Sequence, residues 1–176
     1  NYMPADRLRG TDRWGYALTH AASVDTGVED VGSVALSVTL NRVSDNDYWT
    51  DFTRSGTLTQ RLLPSQVVTR WGSGPWSVMA NVQQWQTLQS ATSPITPPYD
   101  RVPQLVVRHT QYNDRSVDWF VEGDMTRFES DPLKTLQPNA QRAYTLAQAT
   151  RPFVGAAGYL TPKLQLHAAA YQFDTP

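Results

Sequence analysis

The chain has 176 residues, a formal net charge of -1 and no cysteine. That length fits one domain. The missing cysteine excludes disulfides, thiol nucleophiles, thiolate zinc sites and iron–sulfur clusters. The near-neutral charge argues against a dedicated nucleic-acid binder, and no apolar run approaches the ~18 residues of a helical bilayer span.

The polar inventory is skewed. Of 15 basic residues only Lys134 and Lys163 are lysines, and of 16 acidic residues only Glu29, Glu122 and Glu129 are glutamates. Arg and aromatic side chains are enriched, and Lys and Glu depleted, where protein surfaces meet. Six Trp and eight Tyr strengthen that reading. Nucleotide bias in the source genome gives the same Arg-over-Lys balance, so both explanations stand. The first residue is Asn1 and no basic-then-apolar leader follows, which suggests a processed product or a fragment.

In chain order, residues 11–22 read as a short helix with Trp14, Ala17, Leu18 and Ala21 on one stripe. Val34, Leu36, Val38 and Leu40 alternate with Ser33, Ser37, Thr39 and Asn41, which predicts a half-buried strand over 33–43; a helix over 31–42 is the alternative. Residues 44–47 read as a turn. A helix is expected over 64–71, with Pro64 in its first turn. Another is expected from Pro75 to about 90, with Val78, Val82, Trp85 and Leu88 at helical spacing. Prolines 94, 97, 98 and 103 mark 92–103 as an extended connection. Residues 104–112 and 116–122 read as a hairpin, 138–149 as a helix, and 164–170 as a last strand. The expected fold is α+β, a single domain with interspersed helices and mostly antiparallel strands. It divides into a helix-rich first half (1–91), the proline-rich connection (92–103) and a hairpin, helix and strand (104–176).

No motif completes a catalytic site. His20, His109 and His167 are far apart and lack metal-ligand spacing; His20 reads as a helix C-terminal cap. Residues 45–51 begin like a calcium loop, but Trp49 and Thr50 occupy positions that need an oxygen ligand and a glycine. Gly72-Ser73-Gly74 could form an anion nest, but no Lys follows it. Asp118, Glu122 and Asp124 share one face if 116–124 is extended, at a spacing near that of paired glycosidase carboxylates. Arg101, Arg108 and Arg115 with Trp119 form a basic and aromatic stretch able to stack and pair with single-stranded RNA.

One segment, Gly32-Ser33-Val34-Ala35-Leu36-Ser37-Val38-Thr39-Leu40-Asn41-Arg42-Val43, resembles the G-x-V-A-x-x-V-x-L-N-R-V segment of SleB-like spore-cortex hydrolases. The resemblance implies a helix here and a catalytic Glu upstream. The equivalent stretch, residues 19–25, has no Glu, so the general acid of that family is missing.

The leading expectation is a non-enzymatic structural assembly protein, most concretely a subunit of a virion or phage shell. Its partners would be copies of itself or other shell proteins, with weak RNA contact, no membrane, no metal and no cofactor. Its location would be the virion, or otherwise the cytoplasm or a secreted state without disulfides. The second reading is a cell-wall or polysaccharide hydrolase using Glu122, Asp124, Glu29 or Asp25. The third is a module binding RNA or protein through Arg101, Arg108, Arg115 and Trp119.

Overall fold

The structure is a computed structural model that describes residues 1–27, 32–52, 58, 60–113 and 117–174. A two-residue alternation organises the chain nearly throughout, and it produces long strands. They are β1 (Tyr2–Met3), β2 (Arg13–Asp25), β3 (Ser33–Val43), β4 (Leu62–Ser73), β5 (Trp76–Thr87), β6 (Asp100–Gln111), β7 (Asp118–Glu129), β8 (Ala140–Thr150), β9 (Phe153–Gly155), β10 (Gly158–Leu160) and β11 (Lys163–Phe173). Two single-turn helices, α1 (Tyr48–Asp51) and α2 (Pro132–Thr135), sit in connections.

One sheet runs β1-β2-β3-β4-β5-β6-β7-β8-β11, and every neighbouring pair is antiparallel. β9 and β10 form a small separate hairpin. The large sheet is thus an up-and-down meander. One end has the three shortest connections, 26–32, 74–75 and 112–117, together with the hairpin-bearing 151–162. The opposite end has the longer 44–61, 88–99 and 130–139. We call these the short-turn end and the long-loop end.

This architecture corrects the expected α+β fold: the molecule is dominated by antiparallel strands. The helices expected at 11–22, 64–71, 75–90 and 138–149 are strands β2, β4, β5 and β8. The cause is visible in β5. Val78 and Val82 are four residues apart, a spacing shared by a helical stripe and by one face of a strand. Ala80, between them, lies on the same face in the strand, and Met79, Asn81 and Gln83 face the other way. Pro64 sits inside β4 opposite Trp85, and Pro103 falls where the β6 register shifts against both neighbours. A bulge is where a strand tolerates a residue with no N–H. The strands expected at 33–43 and 164–170 lie within β3 and β11, and those expected at 104–112 and 116–122 overlap β6 and β7; residue 116 lies outside the described residues. His20 lies mid-strand opposite Val38, so it caps no helix.

Among the described residues the buried hydrophobic cluster sits at the long-loop end. Val43, Tyr48, Leu58, Leu63 and Leu88 are buried together, with Trp49 and Phe52 packed on them. Gly15 is required there. A Cβ on Gly15 would lie 2.8 Å from the Tyr48 hydroxyl oxygen and 2.9 Å from its ring carbon Cζ, so the Tyr48 ring occupies the space a side chain would need.

Candidate functional site

The registers sort side chains into two faces with different chemistry. Val24 lies opposite Val34, and Val34 opposite Trp71; Trp71 then faces Val78, and Val78 faces Val107. One step along, Ala22, Leu36, Thr69, Ala80, Leu105 and Met125 form the next row of the same face. It continues through Val121 and Ala147 to Leu166. Among the described residues nothing covers this face: Leu18 is 51% exposed, Met125 64%, and Leu164 and Leu166 65% and 66%. A soluble monomer seldom leaves an apolar surface of this extent in water.

Aromatic side chains border the apolar face. Near the short-turn end, Trp76 meets His109 edge-on at 4.5 Å, and His109 stacks on Trp119 at 4.2 Å. Near the long-loop end, Trp14 and Tyr16 stack at 5.8 Å. Beyond the apolar rows the same face turns polar, through Arg42 on β3, Gln84 on β5, Arg127 on β7, Gln141 on β8 and Gln172 on β11.

The opposite face is polar and internally bonded. Gln66 Nε2 donates to Asn81 Oδ1 at 2.9 Å, Asn81 Nδ2 to Gln104 Oε1 at 3.2 Å, and Gln104 Nε2 to Asp124 Oδ2 at 2.7 Å. Asp124 Oδ1 also accepts from Thr126 at 2.7 Å and from Arg142 at 3.0 Å. A single hydrogen-bonded row therefore crosses β4 to β8. Sharing donors laterally gives the buried amides and the Asp124 carboxylate partners, while Arg142 Nε at the end of the row has none among the described residues.

At the long-loop end Arg13 organises the connections. Its guanidinium binds Asp45 at 2.9 and 2.8 Å, Asp51 at 2.9 Å and Asp6 at 3.1 Å, and it lies 4.7 Å from the centre of the Phe52 ring. Burial alone would raise the Asp45 carboxyl, but the bonds from Arg13 and Ser44 hold it below its usual range. Asp51 is held low chiefly by its bond from Arg13. The 45–51 stretch, which begins like a calcium loop, is thus an anionic clasp around an arginine. Sequence spacing hides it, because Arg13 lies 32 and 38 residues from Asp45 and Asp51.

The residues singled out from the sequence are dispersed. Glu122 and Asp124 share the polar face of β7, but each has its own basic partner, Arg108 for Glu122 and Arg142 for Asp124. Asp25 lies at the end of β2 opposite Ser33, with β3 to β6 separating it from β7, and its Oδ1 accepts from Gly27 N at 3.1 Å. Arg101 lies opposite Gln83 and Phe128. Arg108 and Trp119 point to opposite faces. Glu29 and Arg115 lie outside the described residues. Among the described residues no group of three or more His, Asp or Glu side chains is placed to hold a metal.

Comparison with known proteins fits the two-faced sheet. Residues 11–176 match the family described as LptD, LPS transport system D. The chain is 50% identical over 179 residues to the LPS-assembly protein LptD of Albidiferax ferrireducens, covering 99% of this chain and 22% of that protein. It is 45% identical over 183 residues to the protein of the same name from Polaromonas sp., covering 100% and 22%. With the one from Ralstonia nicotianae it shares 32% over 176 residues, covering 99% and 21%. The chain spans about a fifth of the length of these relatives.

These matches overturn the virion-shell function, the shell partners, the RNA contact and the virion location. The hydrolase alternative falls with them, and Gly32–Val43 is a strand rather than the helix that SleB-like resemblance implies. The exclusion of a membrane rested on apolar run length, which detects only helical spans. No described helix is long and apolar enough to cross a membrane, a statement that leaves strands untouched. This chain belongs to the LptD family of the LPS transport system.

Proposed function

We propose that the chain is a section of the strand wall of an LPS-assembly protein embedded in the lipopolysaccharide-bearing outer membrane. Its apolar face meets lipid, and its polar face lines an aqueous interior through which polar parts of the substrate can pass. The observation that carries this reading is the segregation of chemistry between the two faces of one uncovered sheet.

Dimensions support it. The eight long strands have 11 to 13 residues, and a membrane strand tilted by roughly 45° needs about 9–11. Aromatic residues near both ends of the apolar band match the girdles of outer-membrane barrels. Among the described residues β11 has no partner on its outer side, and β2 has only β1 at its first residues. Unpaired backbone groups are not tolerated in lipid, so further strands must close both edges. The remaining four-fifths of a protein as long as the relatives can supply them. Shorter connections mark the periplasmic side of such barrels, which puts the long-loop end outside the cell.

The test is a pair of substitutions in the full-length protein. Val38→Arg places a charge on the apolar face and should cost about 2–4 kcal/mol, lowering folded protein and LPS at the cell surface. Ser37→Arg, on the polar face, should leave both near wild type. Equal tolerance of the two would remove the reading.

A further inference from the structure

The polar limit of the apolar face at the long-loop end carries two arginines in different states. Arg127 is compensated: Asp174 accepts from it at 2.7 and 2.5 Å, and Glu129 at 3.1 Å. Arg42 is not. Among the described residues no carboxylate, carbonyl or ring is within bonding reach of its guanidinium, and residues 53–57 and 59 include no acid in their sequence. Arg42 lies directly opposite Tyr16, whose ring stacks on Trp14 with the planes 7° apart. It follows Val34, Leu36, Val38 and Leu40 on the same face of β3, so an exposed cation stands at the end of a continuous apolar stripe.

We propose that Arg42, with Tyr16 and Trp14 beside it, docks the phosphate of a membrane-lipid headgroup whose acyl chains lie along Leu40, Val38, Leu36 and Val34. The inference rests on the reading of this face as lipid-facing and adds a specific ligand chemistry to it. A guanidinium presents paired donors that match phosphate oxygens. The arginine stem can run along apolar surface while its head reaches the polar layer. Tyr and Trp rings settle at that same layer, with the apolar body inward and the polar edge outward. A free anion would use only the guanidinium, whereas a lipid satisfies the cation and covers the stripe together. Arg127, neutralised by two carboxylates, offers no equivalent attraction.

The experiment uses the full-length protein in detergent, with added phosphatidic acid, and reads bound lipid by native mass spectrometry. Arg42→Gln should reduce phosphatidic acid occupancy at least fivefold, Arg42→Lys should keep half or more, and Arg127→Gln should leave it unchanged. Diacylglycerol, which has the chains without the phosphate, should bind wild type and Arg42→Gln equally weakly. Millimolar inorganic phosphate should displace little of the bound phosphatidic acid. Unchanged occupancy in Arg42→Gln overturns the proposal, and full displacement by inorganic phosphate reduces the site to a free-anion contact and also overturns it. Folding of each variant is checked by heat-modifiable gel mobility. Should Arg42→Gln fail to fold, Arg42→Met, which keeps the apolar stem, is expected to show the same fivefold loss, and wild-type occupancy in it counts against the proposal. A wild-type protein that does not insert into bilayers removes the lipid-facing reading itself. Insertion with Arg42-independent binding removes only this inference.

Discussion

Arg13 and Asp45 form a two-point ion pair, Nε to Oδ2 at 2.9 Å and Nη2 to Oδ1 at 2.8 Å, between the first residue of β2 and the turn that follows β3. The Arg13 side chain is 2% exposed, so its charge depends on the Asp6, Asp45 and Asp51 carboxylates rather than on water. Arg13→Ala removes the cation that Asp6, Asp45 and Asp51 share, leaving, among the described residues, only the more distant Arg9, 3.5 Å from Asp51. Breaking such a partly buried cluster should cost about 2–4 kcal/mol. The expected outcome is faster proteolysis within 44–61 in the full-length protein, with strand content by circular dichroism retained. Unchanged cleavage would show that the clasp does not hold the connection.

The same cluster sets a pH dependence. The Asp45 and Asp51 carboxyls titrate below their ordinary value of 3.8 in the folded protein. A depressed carboxylate stabilises the fold above its unfolded pKa and loses that contribution as pH falls through the folded value. Loosening of 44–52 should therefore begin as pH drops below about 3.8 and should be absent between pH 5 and 8. Tryptophan fluorescence of Trp49, followed in a titration from pH 6 to 2, checks this. A transition near neutral pH would contradict it.

Two glycines should resist substitution for different reasons. Gly15→Ala drives a methyl into the Tyr48 ring, and overpacking of this kind costs about 1–3 kcal/mol. Tyr48→Ala in the same molecule should relieve most of the clash, giving a clear coupling in a double-mutant cycle. Gly32 has φ +73°, and a Cβ there would lie 1.9 Å from the Gly72 carbonyl oxygen. Gly32→Ala should destabilise more than Gly15→Ala in thermal unfolding, and no side-chain truncation should rescue it, because the obstruction is backbone.

The sequence pattern of β3 was readable because Val and Leu alternate with Ser, Thr and Asn from 33 to 41, with Ala35 the one small apolar residue on the polar side. β8 was not, because Ala143, Ala147 and Ala149 on the apolar face alternate with Tyr144 and Leu146 on the polar one. Small residues on the apolar face and large ones on the polar face weaken the period-two contrast. Four-residue spacings then mimic a helix, as in β5. Composition misled for a related reason. Scarce Lys and Glu with abundant Trp and Tyr describe a surface that meets an apolar neighbour, and a lipid bilayer is such a neighbour as much as another subunit is. That Glu122 and Asp124 share a face was legible from spacing. That Arg108 and Arg142 neutralise them depends on strand registers that no local pattern encodes.

The central claim is that adjacent residues of one strand look into different media. Single cysteines placed at each position from Val34 to Asn41 in an otherwise cysteine-free full-length protein, in membranes, test it directly. A membrane-impermeant maleimide should label Ala35, Ser37, Thr39 and Asn41 positions, while a nitroxide lipid should quench a fluorophore only at Val34, Leu36, Val38 and Leu40. The predicted result is a strict two-residue alternation in both readouts, opposite in phase. Uniform aqueous labelling along the strand would contradict the account.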